Sequence, residues 1–275
     1  MARSIDVASV CKDSKSKHAP QIASVISNAL DTLSPTQDSA DKIAAEIDNL
    51  YPSDSAEAED WLWTFWSVLV GVARVIPADD ERQQLLVLTV AKLKTKRDQE
   101  VEMWGQRTRV WTELPMLGPI MRDAWSLTPN FNDSENLDPS SIDEWVSLNS
   151  FAARIYGLSL QDWHNFAIWE LRFGLEEPIE DRPGVRDAII ATVYEWITHA
   201  GKELHRNGTE SITLNAMETR ALRPGSLFKS DQSGLSVERW NFWRERIGVL
   251  GAGAGSGLSK EKAQKALEAM KEIGG

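Results

Sequence analysis

A single carboxylate interrupts the apolar face of a helix that the sequence predicts over residues 159–175. At the 3.6-residue period of a helix, Glu170 falls on the same side as several apolar residues. Those neighbours are Trp163, Phe166, Ala167, Phe173 and Gly174. Burial raises the pKa of a carboxyl group unless a cation keeps it ionised, and carboxyls of raised pKa serve as general acids. Glu170 is therefore a candidate general acid, and an ion pair with an arginine is the structural alternative.

A buried amide is expected in the preceding helix, which is predicted to begin at Ser140 or Ser141 and to run to about Tyr156. Asn149 lies in the middle of an apolar stripe formed by Trp145, Ala152 and Tyr156. Leaving a buried amide unpaired costs about 1–3 kcal/mol, so it must find hydrogen-bond partners. Asn149 therefore either binds a ligand or fixes a neighbouring segment of backbone, which is the more usual arrangement.

Two opposite charges occur in an apolar segment just before Trp125. Arg122 and Asp123 are expected to form an internal clamp there, with Arg154 or Arg172 supplying a second cation. A guanidinium group binds a carboxylate of the protein and a carboxylate of a ligand equally well. The segment is therefore a candidate wall of a binding site.

We expect any pocket to lie where this segment meets the helices of Asn149 and Glu170. The candidate catalytic residues are Glu170 and Asp123. The candidate ligand-binding residues are Asn149, Arg122, Trp125, Trp145, Trp163, Tyr156 and Arg172.

Acidic and histidine side chains also recur at spacings that can hold a metal, but their positions in the predicted helices and loops argue against a metal site. Glu195 and His199 are one helical turn apart, with His205 following, and helical geometry predicts that they lie on a solvated face. The acids at 79–81 lie at a helix start, where they complement the helix dipole. Asn132–Glu135 lies in a predicted loop. We expect neither a metal site nor a cofactor.

Composition excludes several classes of protein. The 275 residues include 30 basic and 41 acidic side chains, a net charge of −11, and binding to nucleic acid needs clustered positive charge. Cys11 is the single cysteine, so an internal disulfide cannot form. The longest apolar run, 61–76, is too short to cross a membrane. With no secretory signal at the start, a cytoplasmic protein is expected.

Twelve tryptophans, ten of them between Trp61 and Trp196, indicate a large apolar core. Apolar residues recur at helical spacing, and no alternating run is long enough for a sheet. The predicted helices cover 20–33, 38–50, 57–76, 79 towards 104, 140–156, 159–175, 183–207, 236–247 and 259–275. The fold class is therefore all-α, an irregular bundle of about nine to ten helices. An ordered Pro/Gly-rich loop is expected around 108–139, with a short helix near Met121.

The same patterns predict the domain organisation. Residues 1–18 are expected to be a flexible N-terminus, and 19–250 a single helical domain. The glycine- and alanine-rich stretch 251–258 is typical of a linker. An amphipathic helix over 259–275 is then expected to dock on the domain.

Four segments resemble a family of fungal proteins of unknown function, found mainly in filamentous ascomycetes. They are Trp111–Trp125, Trp145–Arg154, Phe166–Arg172 and Ser236–Trp243. The resemblance covers the chain from about Trp61 to the end. It implies a predominantly helical cytosolic fold and a fungal source. It implies no activity, so it assigns no catalytic residue.

Two hypotheses of function follow. The first is a pocket in a helical bundle that binds an apolar or aromatic metabolite, with acid-catalysed cyclisation or isomerisation in fungal secondary metabolism as its reaction. The second is a non-catalytic interaction or scaffold protein that holds a protein partner or forms a homodimer. Polar residues in apolar surroundings favour the first, and amphipathic helices at both ends favour the second.

Overall fold

The computed structural model of the chain describes residues 5–32, 34–131, 137–179, 182–210 and 213–275. The loop predicted at Asn132–Glu135 lies outside these residues. The structure is 67% helical, with twelve α-helices in the part that is described, so the predicted all-α class is confirmed. The chain forms two compact units, residues 1–128 and residues 129–275. No helix in the described ranges combines the length and the hydrophobicity that crossing a bilayer requires.

The first unit is built around an aromatic core on α4. Its helices are α1 (Val7–Cys11), α2 (Ala19–Thr32), α3 (Gln37–Leu50), α4 (Ala58–Val75), α5 (Arg82–Leu93) and α6 (Leu117–Trp125). Helix α4 packs against α2 and α6, and α3 packs against α5. The core rings, with centroids 4.5 to 6.2 Å apart, belong to Tyr51, Trp61, Phe65, Trp66 and Trp111.

A small hairpin is found where the helix predicted from residue 79 was expected to continue towards Trp104. Helix α5 ends at Leu93, and β1 (Glu100–Met103) pairs antiparallel with β2 (Gln106–Arg109). Trp104 and Gly105 form the turn with φ angles of 51° and 75°, a pair of left-handed residues typical of tight hairpin turns. Strands of four residues are too short for alternation to be detected in the sequence.

The short helix expected near Met121 is α6, and α1 lies inside the segment that was expected to be a flexible N-terminus.

The second unit is organised around α9, a helix of 27 residues. Its helices are α7 (Pro139–Gly157), α8 (His164–Leu171), α9 (Pro183–Thr209), α10 (Ala216–Ala221), α11 (Val237–Ala252) and α12 (Gly257–Gly274). Helices α7, α11 and α12 pack against α9. Side-chain oxygens of Asp138, Ser236 and Ser256 cap α7, α11 and α12 by accepting hydrogen bonds from backbone N–H groups of the first turn.

Two predicted boundaries in this unit are corrected. The helix that contains Glu170 does not begin at Ser159, because Ser159 has a left-handed φ of 52° and α8 begins only at His164. That helix continues as a π-helical segment over Arg172–Glu176. The predicted linker 251–258 is shorter than expected, because α11 includes its first two residues and α12 its last two. Only residues 253–256 lie outside them.

Candidate functional site

Glu170 is buried, as its position on the apolar face predicted. It is 9% exposed on α8 and lies beside Trp145, Phe131 and Phe173. The void that these side chains share has a volume of about 10 Å³. A cavity needs roughly 10–15 Å³ to hold one water molecule. Among the described residues, the void beside Glu170 is therefore far smaller than a ligand pocket of about 300–1,000 Å³.

Asn149 satisfies its hydrogen bonds inside the protein. It is fully buried, its Nδ2 donates to the Trp145 carbonyl at 2.9 Å, and its Oδ1 accepts from Trp196 Nε1 at 2.7 Å. Since Trp196 lies on α9, the amide joins α7 to α9. This is the structural alternative that the sequence left open, except that the partner is an indole and not loop backbone.

Arg122 and Asp123 are exposed, which corrects the expectation of a clamp in apolar surroundings. Helix α6 turns Met121 and Trp125 inwards, so the two charged residues between them face outwards. With Trp125 they belong to the first unit, whereas Asn149 and the other candidates belong to the second.

The remaining candidates have separate surroundings. Trp163 is buried against Phe166, with ring centroids 5.7 Å apart. The buried hydroxyl of Tyr156 accepts a hydrogen bond from Asn207 Nδ2 at 2.6 Å, and burial raises its pKa. Arg172 Nη1 donates to the carbonyls of Ala221 and Arg223 at 3.0 and 3.1 Å.

Arg172 therefore binds backbone at the last residue of α10 and just beyond it. Burial lowers the pKa of its guanidinium. Within the second unit, Glu170 and Trp145 share the void of about 10 Å³, while Asn149, Tyr156 and Arg172 form their hydrogen bonds with other parts of that unit.

Glu195 contradicts the sequence interpretation most clearly, because it is buried and not solvated. It is 2% exposed, although it points away from the apolar face of α9. Helices α7 and α12 cover that side of α9 and supply polar partners. Ser150 Oγ donates to Glu195 Oε2 at 2.8 Å, and Lys262 Nζ lies 3.8 Å from Oε1.

The Glu195 carboxylate also orients a histidine. His199 Nε2 lies 3.3 Å from Glu195 Oε2, and Arg154 Nε donates to Ser150 Oγ at 3.3 Å. Burial lowers the pKa of the Arg154 guanidinium, and the negative charge of Glu195 opposes that shift. A buried carboxylate thus lies among basic side chains of three helices, Arg154 of α7, His199 of α9 and Lys262 of α12.

A groove of about 910 Å³ extends from His199 towards the end of α9. Its apolar lining comes from Ile197 of α9 and from Ala269 and Ile273 of α12, and Gly157 of α7 also lines it. Its polar lining is Thr198, His199, Lys202, Glu203, His205, Arg206, Thr209 and Glu272.

The basic side chains of the groove differ in whether an acidic side chain of the protein binds them. Arg206 is bound by Glu203 and Glu210, and Glu195 holds His199. Lys202 and His205 form no ion pair with any residue that the structure describes, so both can bind a ligand. The structural alternative is that these bases complement the C-terminal dipole of α9.

A second, smaller cavity lies at the start of α8. It has a volume of about 120 Å³ and a mainly polar lining that includes His164, Asn207 and Gln232. His164 Nδ1 lies 2.6 Å from Asp162 Oδ1, and this hydrogen bond holds the pKa of Asp162 below its usual value. Organic ligands occupy pockets of about 300–1,000 Å³, so the groove along α9 is the better candidate site.

Sequence reasoning missed the groove because it assigned His199 and His205 to a solvated face. Their spacing on one helix was visible in the sequence. What could not be read is that α12, more than 50 residues later, builds the opposite wall.

Comparison with known proteins gives one match. A model of the family described as protein of unknown function (DUF3632) matches residues 66–247, which include α9 but not α12. No curated protein and no solved structure shows significant similarity to the chain. Because the match covers well over half of its length, the chain belongs to the DUF3632 family.

Proposed function

We propose that this protein binds a small apolar or aromatic metabolite in the groove along α9. The observation that carries the proposal is the groove itself, whose volume of about 910 Å³ lies in the range of ligand pockets, about 300–1,000 Å³. None of the residues first selected from the sequence lines it.

The lining of the groove supports this ligand class. Ile197, Ala269 and Ile273 offer apolar contact, while Lys202 and His205 offer polar groups without an ion-pair partner in the described chain. Ligand sites commonly combine an apolar surface with a few polar groups that fix orientation. The network around Glu195 fixes one residue of the lining, because Glu195 Oε2 lies 3.3 Å from His199 Nε2 and accepts a hydrogen bond from Ser150.

Acid catalysis by Glu170 does not form part of the proposal. Glu170 lies beside a void of about 10 Å³ and is absent from the groove lining. The resemblance of the chain to fungal proteins supports a fungal source and a cytoplasmic location. We propose these as the setting, with secondary metabolism as the source of the ligand.

The proposal is tested by comparing ligand binding to the wild type and to a variant whose groove is filled by a larger side chain. The probe is 1-anilinonaphthalene-8-sulfonate, an aromatic anion, titrated calorimetrically and then displaced by a panel of aromatic compounds. Ala269→Trp fills the groove from α12 and should weaken binding about tenfold or more. Lys271→Trp adds the same side chain at an exposed position of the same helix and should leave binding unchanged.

Two further measurements complete the test. Glu170→Gln should bind the probe as tightly as the wild type, because Glu170 is not in the groove. A panel member present at 100 times its Kd should raise the free energy of unfolding by about 2.7 kcal/mol. Equal affinity in Ala269→Trp and wild type would exclude the groove as the site.

A protein-interaction role is the second candidate, and two exposed indoles of the first unit favour it. Trp104 at the hairpin turn is 63% exposed, and its Nε1 donates to Glu59 Oε1 of α4 at 3.2 Å. Trp63 lies one turn beyond Glu59 and is 39% exposed. Exposed aromatic residues are frequent in protein interfaces. Trp104→Ala should then abolish a partner interaction and leave probe binding intact.

A further inference from the structure

One buried hydrogen-bond donor beside the groove has no acceptor. Trp240 of α11 is 2% exposed, and its indole Nε1 forms no hydrogen bond within the described chain. Buried donors are nearly always paired in folded proteins, so an unpaired one needs an explanation. Elsewhere in the same unit the indole N–H groups of Trp196 and Trp243 are paired, with Asn149 and with Glu176.

The unpaired donor lies next to a groove residue. The rings of Trp240 and His205 meet edge to face with centroids 5.2 Å apart. A methyl group placed on Gly274 would lie 3.0 Å from Trp240 Nε1 and 3.2 Å from His205 Nε2. Both nitrogens therefore lie beside the same glycine, in the last turn of α12.

The last turn of α12 is a weak cover for this donor. Helix ends are the least stable part of a helix, and glycine lowers helix stability further. Gly274 adds no side chain to this cover, and its neighbour Ile273 lines the groove. Displacing this turn would bring the indole N–H into reach of a ligand beside His205, which already lines the groove.

We propose that the groove ligand is a carboxylic acid whose carboxylate is bound by Trp240 Nε1–H, His205 and Lys202. This inference rests on the proposed function and adds the chemical class of the ligand. Indole and ammonium groups only donate hydrogen bonds, and a carboxylate only accepts them. The apolar or aromatic body of the acid lies along Ile197, Ala269 and Ile273.

Charge in the groove refines the proposal. Glu203 and Glu272 also line it, and Glu203 is neutralised by Arg206. Glu272 forms no ion pair within the described chain and opposes an anion. Removing its charge should therefore strengthen the binding of an acid and leave a neutral ligand unaffected.

The experiment compares 4-phenylbutyrate with its neutral amide, 4-phenylbutyramide, by calorimetric titration of the full chain. The wild type should bind the acid at least tenfold more tightly than the amide. Trp240→Phe keeps the ring but removes the N–H group, and it should reduce acid binding roughly tenfold, as expected for one hydrogen bond to a charged group. It should reduce amide binding less, because a hydrogen bond to a neutral carbonyl contributes less than one to a carboxylate.

Two further variants test the charges of the groove, and a third is the control for Trp240→Phe. Lys202→Met should also reduce acid binding selectively, and Glu272→Gln should increase it severalfold. Trp196→Phe removes an indole N–H that already has an acceptor, so it should not change the preference for the acid. Melting curves of all variants report whether each remains folded.

The outcomes separate the two proposals. Equal binding of acid and amide, with Ala269→Trp still blocking both, would contradict the proposal that the ligand is a carboxylic acid. The groove would remain the binding site. Loss of both ligands in Trp240→Phe, in a variant that melts as the wild type does, would assign Trp240 a packing role and also overturn the acid. Binding of neither probe to the wild type would contradict the function on which this inference depends.

Discussion

Glu176 and Arg239 form an ion pair in which neither side chain has any contact with solvent. Arg239 Nε donates to Glu176 Oε1 at 2.6 Å, and Arg239 Nη2 donates to Glu176 Oε2 at 3.0 Å. Trp243 Nε1 and the backbone N–H of Gly225 donate to the same carboxylate. Arg239 Nη1 donates to the carbonyls of Leu222 and Gly234. The pair therefore fastens the chain between α10 and α11 to the end of the π-helical segment.

Removing one member of this pair should destabilise the protein strongly. Arg239→Met leaves the buried carboxylate of Glu176 without a counter-ion, and we expect a loss of about 3–5 kcal/mol of unfolding free energy. The double variant Glu176→Gln/Arg239→Met should recover part of that loss, because no buried charge remains. Urea denaturation measures all three free energies.

Arg244→Met is the matched control, since Arg244 lies on the same helix and forms no ion pair within the described residues. It should unfold close to the wild type. A single-variant loss no larger than that of Arg244→Met would show that the pair contributes little to stability.

Asn149 is expected to act on stability and not on binding. Asn149→Leu removes the acceptor of a buried indole N–H, so we expect a loss of about 1–3 kcal/mol. Trp196→Phe in the same background should restore part of it, because the unpaired donor is then gone. Probe affinity in the groove should stay constant. A variant of normal stability that no longer binds the probe would instead make Asn149 a ligand-binding residue.

The elements that the sequence predicted well are those whose signals are local. Ser236 directly precedes α11 and caps its first turn, and Pro183 is the first residue of α9, so both helices start within one residue of the predicted positions. The burial of Glu170 was also predictable, because it depends on the period of its own helix. The volume of the void beside it depends on how neighbouring side chains fit together, and no periodicity contains that information.

The elements that could not be predicted depend on distant parts of the chain. Glu195 lies opposite the apolar face of α9 and is buried only because α7 and α12 also pack there. Glu176 was not selected at all. It lies in a π-helical segment, whose wider turn shifts side chains out of the 3.6-residue period on which the sequence analysis relied.

Lowering the pH should reveal how much an ion pair at the start of α5 contributes to the free energy of unfolding. Arg82 donates to both oxygens of Asp80, at 2.9 and 2.6 Å, and these hydrogen bonds hold the pKa of Asp80 below its usual value. A lowered pKa in the folded state means that the stabilisation is complete above the usual aspartate pKa of about 3.9 and is lost as the pH falls below it.

Asp80→Asn should therefore cost about 1–3 kcal/mol at pH 7, with the difference from the wild type narrowing below about pH 4. Urea denaturation between pH 3 and pH 7 gives both curves. A difference that stays constant across that range would mean that the charge of Asp80 is not what stabilises the fold.

Replacing Gly157, the glycine that lines the groove, is predicted to reduce both stability and ligand binding. Gly157 is the last residue of α7 and lies against the backbone of α9. A methyl group on it would collide with the carbonyl oxygen of His199. Gly157→Ala must move one helix away from the other, and we expect a loss of about 1–3 kcal/mol. Because that movement shifts His199 and the wall of the groove, probe affinity should fall in the same variant.

Gly248→Ala provides the comparison. Gly248 lies inside α11 with open space around the added methyl group, so the substitution should raise stability by about 0.5–1 kcal/mol through helix propensity alone. Thermal unfolding of the two variants should therefore shift in opposite directions. A Gly157→Ala variant that melts at or above the wild-type temperature would show that α7 and α9 can separate at this contact without cost, and that the groove does not depend on it.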